Sequence, residues 1–280
     1  MPSKAPLRRN CATMPAHMML LEKHPEFRAR LFKLEERTAK LRSQLKVSAL
    51  KQKEVKVVVN VVYKTAEQNI SDAQIRSQIA ALNKDFGATN PDKSKVPLPW
   101  KGLVTDTHIS FKLVKTTRTQ TTKNGFTHDD GVKKAATGGI APFSPATHLN
   151  FWICALGGGL LGYAQFPGGP LNTDGVVINY QAFGTSGTAK APFDKGRTAT
   201  HEVGHYFNLR HIWGDTEDCS GSDMVADTPN CAGPNFNKPA FPSVSCNNGP
   251  NGDMFMNYMD YVDDAAMFMF TPAQVLRMNA

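Results

Sequence analysis

Three imidazoles and a carboxylate fall within eleven residues, His201-Glu202-Val203-Gly204-His205-Tyr206-Phe207-Asn208-Leu209-Arg210-His211. On a helix, residues four apart share a face, so His201 and His205 can bind one ion together. Glu202 lies beside them, within reach of a water on that ion. His211 is too far along to bind from the same turn and joins only if the chain bends sharply before it. Zinc takes nitrogen ligands in tetrahedral geometry and, when catalytic, keeps one position open for water; three histidines leave that position free. Zinc lowers the pKa of its water toward neutrality, and Glu202 can take the proton and deliver it to a leaving amine. A structural zinc site more often brings cysteines and no adjacent glutamate. HExxH alone carries false-positive risk; a third histidine six residues on removes most of it.

These residues need a helix that starts near Lys195-Gly196-Arg197-Thr198 and breaks before His211. Upstream, residues 25–46 place Phe27, Leu31, Leu34, Leu41 and Leu45 among charges, the spacing of an amphipathic helix. Residues 55–63 are β-branched and predict a strand, and Ser71 with Gln74 forms a capping box that opens a helix ended by Gly87. Further strands are expected at 107–114, 148–155 and 175–180. Between the last two, Gly157 to Phe166 followed by Pro167 fits an edge strand at 160–166, open to an extended peptide; a plain hairpin fits equally. Residues 212–254 are rich in Gly, Pro, Asn, Asp and Ser and predict long loops. A short helix, Pro272 to Met278, closes the chain.

The 280 residues suffice for one large domain or two small ones, and 41% are hydrophobic. No apolar run approaches the roughly 20 residues of a membrane helix. Met1 to Cys11 is basic without an apolar core, so no secretory signal is visible there, which leaves a trimmed start or a cytosolic chain open. The net charge of +8 is uneven: residues 1–42 hold ten Lys/Arg and four Asp/Glu, the remainder 22 and 20. With no basic stripe interleaved with aromatics in the body of the chain, nucleic-acid binding is not expected. Five cysteines leave at least one unpaired in a monomer. Cys154 lies in an apolar run and reads as a buried thiol, whereas Cys219, Cys231 and Cys246 occupy the loop-rich region.

The zinc segment resembles the metzincin signature HExxHxxGxxH with its later Met-turn. Asn208 stands at the glycine position; after Gly, Asn tolerates the left-handed conformation best. Asn257-Tyr258-Met259-Asp260-Tyr261 resembles the Met-turn, although Met254, Met256, Met259, Met267 and Met269 also read as adaptable core filler. Within the metzincins the chain is similar to the pappalysin family and its ulilysin-like members. The likeness covers Gln68–Ile75, Gly157–Phe166, Gly196–His205, Asp227-Thr228-Pro229 and Met256–Asp264, running from about Cys11 to the end.

The resemblance implies an α/β metzincin-type zinc protease with a twisted mixed sheet, two long helices above the cleft and a loop-rich lower subdomain. It implies a propeptide at 1–42 and a catalytic domain at 43–280, divided into 43–211 and 212–280, with removal near Arg42-Ser43. Arg9-Asn10-Cys11-Ala12-Thr13 resembles the segment whose cysteine blocks zinc in a latent enzyme; an exposed free thiol is the plainer reading of Cys11. Met259 would floor the zinc, Tyr261 would hydrogen-bond the reacting carbonyl, and Cys219 and Cys246 would pair. A second family bridge needs cysteines near Lys238 and Ala266, and both are missing. Asp215, Glu217, Asp218, Asp223 and Asp227 with Thr228 offer oxygen ligands for calcium, or are solvated loop carboxylates. Asp264 would wall the S1′ pocket and favour Arg or Lys after the cut, with substrate along Leu160, Gly162 and Tyr163. The expected function is thus a secreted zinc endopeptidase made as a zymogen, acting on peptide or protein and inhibited by its own propeptide. The alternative is a weakly or non-proteolytic zinc-binding protein of the same fold.

Overall fold

The computed structural model describes residues 8–280, so the first seven residues of the expected propeptide lie outside it. The sheet is built from β1 (Lys53–Tyr63), β2 (Ile109–Gln120), β3 (Leu149–Cys154), β4 (Gly162–Ala164) and β5 (Val176–Asn179), in the order β2-β1-β3-β5-β4. The first four in that order pair in parallel, and β4 closes the edge antiparallel to β5. The sheet is therefore mixed, as the resemblance implied, and its edge lies where the glycine-rich segment placed it.

Period-two alternation divides the β1 side chains between the two faces. Val57, Val59 and Val61 join the large core beneath the helices, whereas Val62 joins a smaller cluster with Trp152, Cys154, Tyr163 and Val177 on the far side. Helix α3 (Asp72–Phe86) buries Ile75, Leu82 and Phe86 in the large core, and Ser71 caps it by accepting from the Gln74 amide. Helix α5 (Arg197–Tyr206) carries the zinc motif and packs against α3, β4 and β5.

Residues 13–42 form two helices, α1 (Thr13–Lys23) and α2 (Pro25–Arg42). The amphipathic pattern marks the second; the first buries Thr13, Ala16 and Leu20. Between α3 and β2 lie a 3-10 turn at Pro91–Lys95 and one helical turn, α4 (Leu98–Lys101). After α5 the chain is mostly loop, with two-residue strands β6 (Phe236–Asn237) and β7 (Tyr261–Val262) paired in parallel, and ends in α6 (Pro272–Asn279). No helix among the described residues is long and apolar enough to cross a membrane.

Candidate active site

Helix α5 ends where the third histidine requires it to. Asn208 adopts φ 70°, and the Asn208 and Leu209 amides fold back to the His205 and Gly204 carbonyls at 2.9 and 3.0 Å. This is a Schellman termination with asparagine in the left-handed position. It turns the chain so that His211 comes back to His201 and His205. All three side chains are buried, and their Nε2 atoms lie 3.1–3.3 Å apart.

Each imidazole has a fixed acceptor on its other nitrogen. Nδ1 of His201 faces Tyr258 O at 2.7 Å, that of His205 faces Leu209 O at 2.8 Å, and that of His211 faces Asp215 Oδ1 at 2.5 Å. In neutral rings these contacts place the proton on Nδ1, so three Nε2 lone pairs converge on one point. Lone pairs cannot hydrogen-bond one another; the arrangement fits a cation, and three imidazoles suit zinc. Burial and the neighbouring rings hold His201 well below its ordinary pKa, and burial lowers His205 to about 3, which keeps both neutral and ligating.

The fourth corner belongs to Cys11. Its Sγ and the three histidine nitrogens all lie within 4.8 Å of one another, and among the described residues no other group of three or more His, Cys, Asp or Glu is gathered this way. Burial and the nearby Glu202 charge push the Cys11 thiol well above its usual value; a cation at the centre is what would hold it as thiolate. Cys11 is buried rather than the exposed thiol of the plainer reading. Its Sγ lies 3.3 Å from Glu202 Oε2, and Thr13 Oγ1 donates to the same oxygen at 2.9 Å. Burial raises the Glu202 carboxyl to about 7.

The residues around Cys11 lie along β4. Leu161 N donates to Asn10 O at 2.9 Å, Ala12 N to Gly162 O at 3.0 Å, and Ala164 N to Thr13 Oγ1 at 2.9 Å, in a parallel pairing. Gly162 is required where it stands: a Cβ there would lie 2.8 Å from Val177 O and 3.0 Å from Glu202 Cγ. Two substrate assignments change in detail. Tyr163 is 1% exposed, because strand alternation turns its ring to the far face beside Lys133, so it offers no side chain to the cleft. Leu160 packs against the same far-side cluster, and its carbonyl accepts from Asn179, so the pairing edge begins at Leu161.

Beneath the imidazoles, Met259 is buried against Gly204, where a Cβ would come within 2.4 Å of its Sδ. Tyr261 stands 4.9 Å from the His211 ring, centroid to centroid, and donates to Cys11 O at 3.3 Å. Trp213, which the motif does not flag, stacks on His211 at 4.3 Å.

Asp264 is fully buried. Its Oδ2 accepts from the Lys195 and Arg197 amides at 2.7 and 3.2 Å, and its Oδ1 meets Arg9 Nη2 at 2.6 Å. Arg9 also donates to Val262 O and Thr198 Oγ1, both at 3.1 Å. The sequence places Arg9 in the segment around Cys11 but gives no sign of its partner Asp264.

The acidic loop residues do not converge on one point. Asp215 turns its Oδ1 to His211 Nδ1, at 2.5 Å. Both oxygens of Asp227 cap α6, accepting from Thr271 Oγ1 and Ala273 N. Asp223 and Thr228 do meet, at 2.6 Å. Cys219 and Cys246 form a disulfide, and Cys11, Cys154 and Cys231 are free and buried.

The family model described as pregnancy-associated plasma protein-A, of the M43 peptidases, matches residues 144–280. An extracellular metalloprotease of Arthroderma benhamiae is 34% identical over 216 residues, covering 75% of this chain and 70% of that protein. The chain belongs to the pappalysin family. An extracellular metalloprotease of Pyricularia oryzae is 33% identical, covering 75% and 67%. Among solved structures, a promirolysin mutant of Tannerella forsythia is 43% identical with a TM-score of 0.87, covering 96% of this chain and 92% of that one. Mature mirolysin of the same organism, in complex with a cleaved peptide, is 48% identical with a TM-score of 0.79, covering 82% and 91%. As a pappalysin-family member with this metal-ligand set, the chain is a zinc metalloendopeptidase.

Proposed function

We propose that this chain is the latent form of a secreted endopeptidase that cleaves before Arg or Lys and is silenced by its own residues 1–42. The observation that carries this reading is the path of residues 9–13. Cys11 takes the fourth position at the histidines, while Arg9 fills a closed pocket on Asp264. Arg9 thereby stands in for a basic substrate side chain, and Cys11 for whatever occupies the open coordination position.

Zinc bound by the three imidazoles supplies a Lewis acid that polarises the scissile carbonyl and acidifies water. Glu202 is within hydrogen-bond reach of the position Cys11 holds, so its carboxylate takes the water's proton and passes it to the leaving amine. The Tyr261 hydroxyl, released from Cys11 O, donates to the developing oxyanion. The freed edge of β4 binds the substrate backbone, and Asp264 Oδ1 binds the basic side chain.

The boundary near Arg42-Ser43 fits the end of α2 and the difference between 96% coverage by the pro-form structure and 82% by the mature one. Relatives named as extracellular support secretion, as does the disulfide. Calcium is assigned to Asp223 and Thr228 with the Val225 carbonyl. Burial raises the Asp223 carboxyl to about 6 and Thr228 Oγ1 lies 3.2 Å from Val225 O, a set of hard oxygens with a desolvated charge. Calcium removal should lower the melting temperature of the chain but not of Asp223→Asn; equal responses would refute the assignment. The test of the main reading is cleavage-site profiling of residues 43–280 on a peptide mixture. Arg and Lys should dominate the position after the cut; an indifferent profile would overturn the specificity.

A further inference from the structure

The chain departs from HExxHxxGxxH at Asn208, a residue with a side chain held at φ 70°. Asparagine tolerates that conformation less well than glycine, so the turn needs support from elsewhere. The Asn208 side chain makes no hydrogen bond among the described residues, but its carbonyl accepts from Arg277 Nε on α6 at 2.7 Å. The Arg277 side chain is 1% exposed. The next carbonyl, Leu209 O, is the one that orients His205. The peptide gripped by Arg277 therefore lies directly before the one that fixes the second zinc ligand, on the stretch that leads from His205 to His211. The remaining guanidinium nitrogens, Nη1 and Nη2, donate to the two oxygens of Glu35 on α2 at 3.0 and 2.5 Å. A two-pronged arginine–carboxylate contact of this kind is both strong and directional.

We infer that Arg277 is a positioning residue for the metal centre, holding the left-handed turn at Asn208 through its carbonyl, and that the propeptide docks Glu35 on the same guanidinium. The propeptide helix and the zinc turn are thus joined through one side chain. This rests on the zinc assignment above and adds a residue far from HExxH in sequence. If Arg277 acts by holding a strained turn, glycine at position 208 should relieve the need for it, because glycine takes positive φ without a Cβ penalty.

The test is a double-mutant comparison in the full chain carrying Cys11→Ala, so that histidines alone hold the ion. Zinc dissociation constants come from competition with a chelator, and circular dichroism monitors the fold. Arg277→Met should weaken zinc binding about tenfold to a hundredfold, the range for losing a hydrogen bond to a charged group. In the Asn208→Gly background the same change should have a much smaller effect. Arg277→Lys should fall between, and it supplies the same comparison if the methionine variant does not fold. Unchanged zinc affinity, or an equal loss in both backgrounds, would overturn the inference. Failure of the starting chain to bind zinc would instead overturn the zinc assignment.

Discussion

The guanidinium of Arg9 meets the carboxylate of Asp264 at 2.6 Å, with both side chains closed to solvent. Two backbone amides hold the far oxygen of Asp264, so the near oxygen stays aimed at the pocket whether or not Arg9 is there. A buried carboxylate that loses its cation is strongly destabilised, which is the basis of the proposed preference for a basic guest. Asp264→Asn keeps the shape and removes the charge. In the trimmed enzyme it should lower kcat/KM by about a hundredfold for peptides with Arg after the cut and leave neutral peptides little changed. An equal loss for both peptide classes would show that Asp264 only supports the fold.

In the proposed latent form several contacts block the cleft, so loss of the thiol alone should release activity only in part. With Cys11→Ala, Arg9 still fills its pocket and Thr13 still touches Glu202. The untrimmed variant should show measurable cleavage of a basic peptide where the parent chain shows none, and Arg9→Ala/Cys11→Ala should show more. A double variant as silent as the parent would contradict the blocking role of both residues.

Gly204 leaves no room for a methyl group, because Met259 Sδ occupies the space. Gly204→Ala forces either the helix or the Met-turn to move, and overpacking of this kind costs about 1–3 kcal/mol. Denaturant unfolding should show that loss, with Gly204→Ala/Met259→Ala recovering part of it. No recovery in the double variant would place the strain elsewhere.

What sequence made legible here is what spacing encodes. His201, Glu202 and His205 lie on one helical face, Ser71 and Gln74 spell out a cap, and the glycines around 157–162 mark an edge. Asn208 was legible as a residue able to reverse the helix, and it does so with φ 70°. What spacing does not encode is partnership across long separations. Arg9 and Asp264 are 255 positions apart and Arg277 and Glu35 are 242 apart, so no local pattern announces either pair. Asp215 shows the converse: among five acidic loop residues, only the fold distinguishes the one that orients His211. The direction of Tyr163 follows from β-strand parity, which needs a register that the short glycine-rich edge did not fix.

Burial raises the Asp260 carboxyl to about 7. Between its ordinary value and pH 7 the folded chain holds a proton that the unfolded chain has released. The folded state therefore binds more protons in that window, and stability from this group falls as pH rises through it, by at most about 1.4 kcal/mol per pH unit. Asp260→Asn should remove that component: the stability difference between variant and parent should shift in the variant's favour from pH 5 to pH 8. A difference independent of pH would mean that Asp260 is ionised throughout.

The central claim, that the three histidines and Glu202 form a zinc peptidase centre masked by the N-terminal segment, is tested most directly by peptide cleavage. The full chain, residues 43–280, and residues 43–280 with Glu202→Ala should be assayed on one Arg-containing peptide, with and without a zinc chelator. The account predicts cleavage by the trimmed chain alone, abolished by the chelator, restored by zinc and reduced by at least about a thousandfold in Glu202→Ala. Cleavage that survives chelation or the Glu202 substitution, or a trimmed, zinc-loaded chain that cuts no peptide, would contradict it.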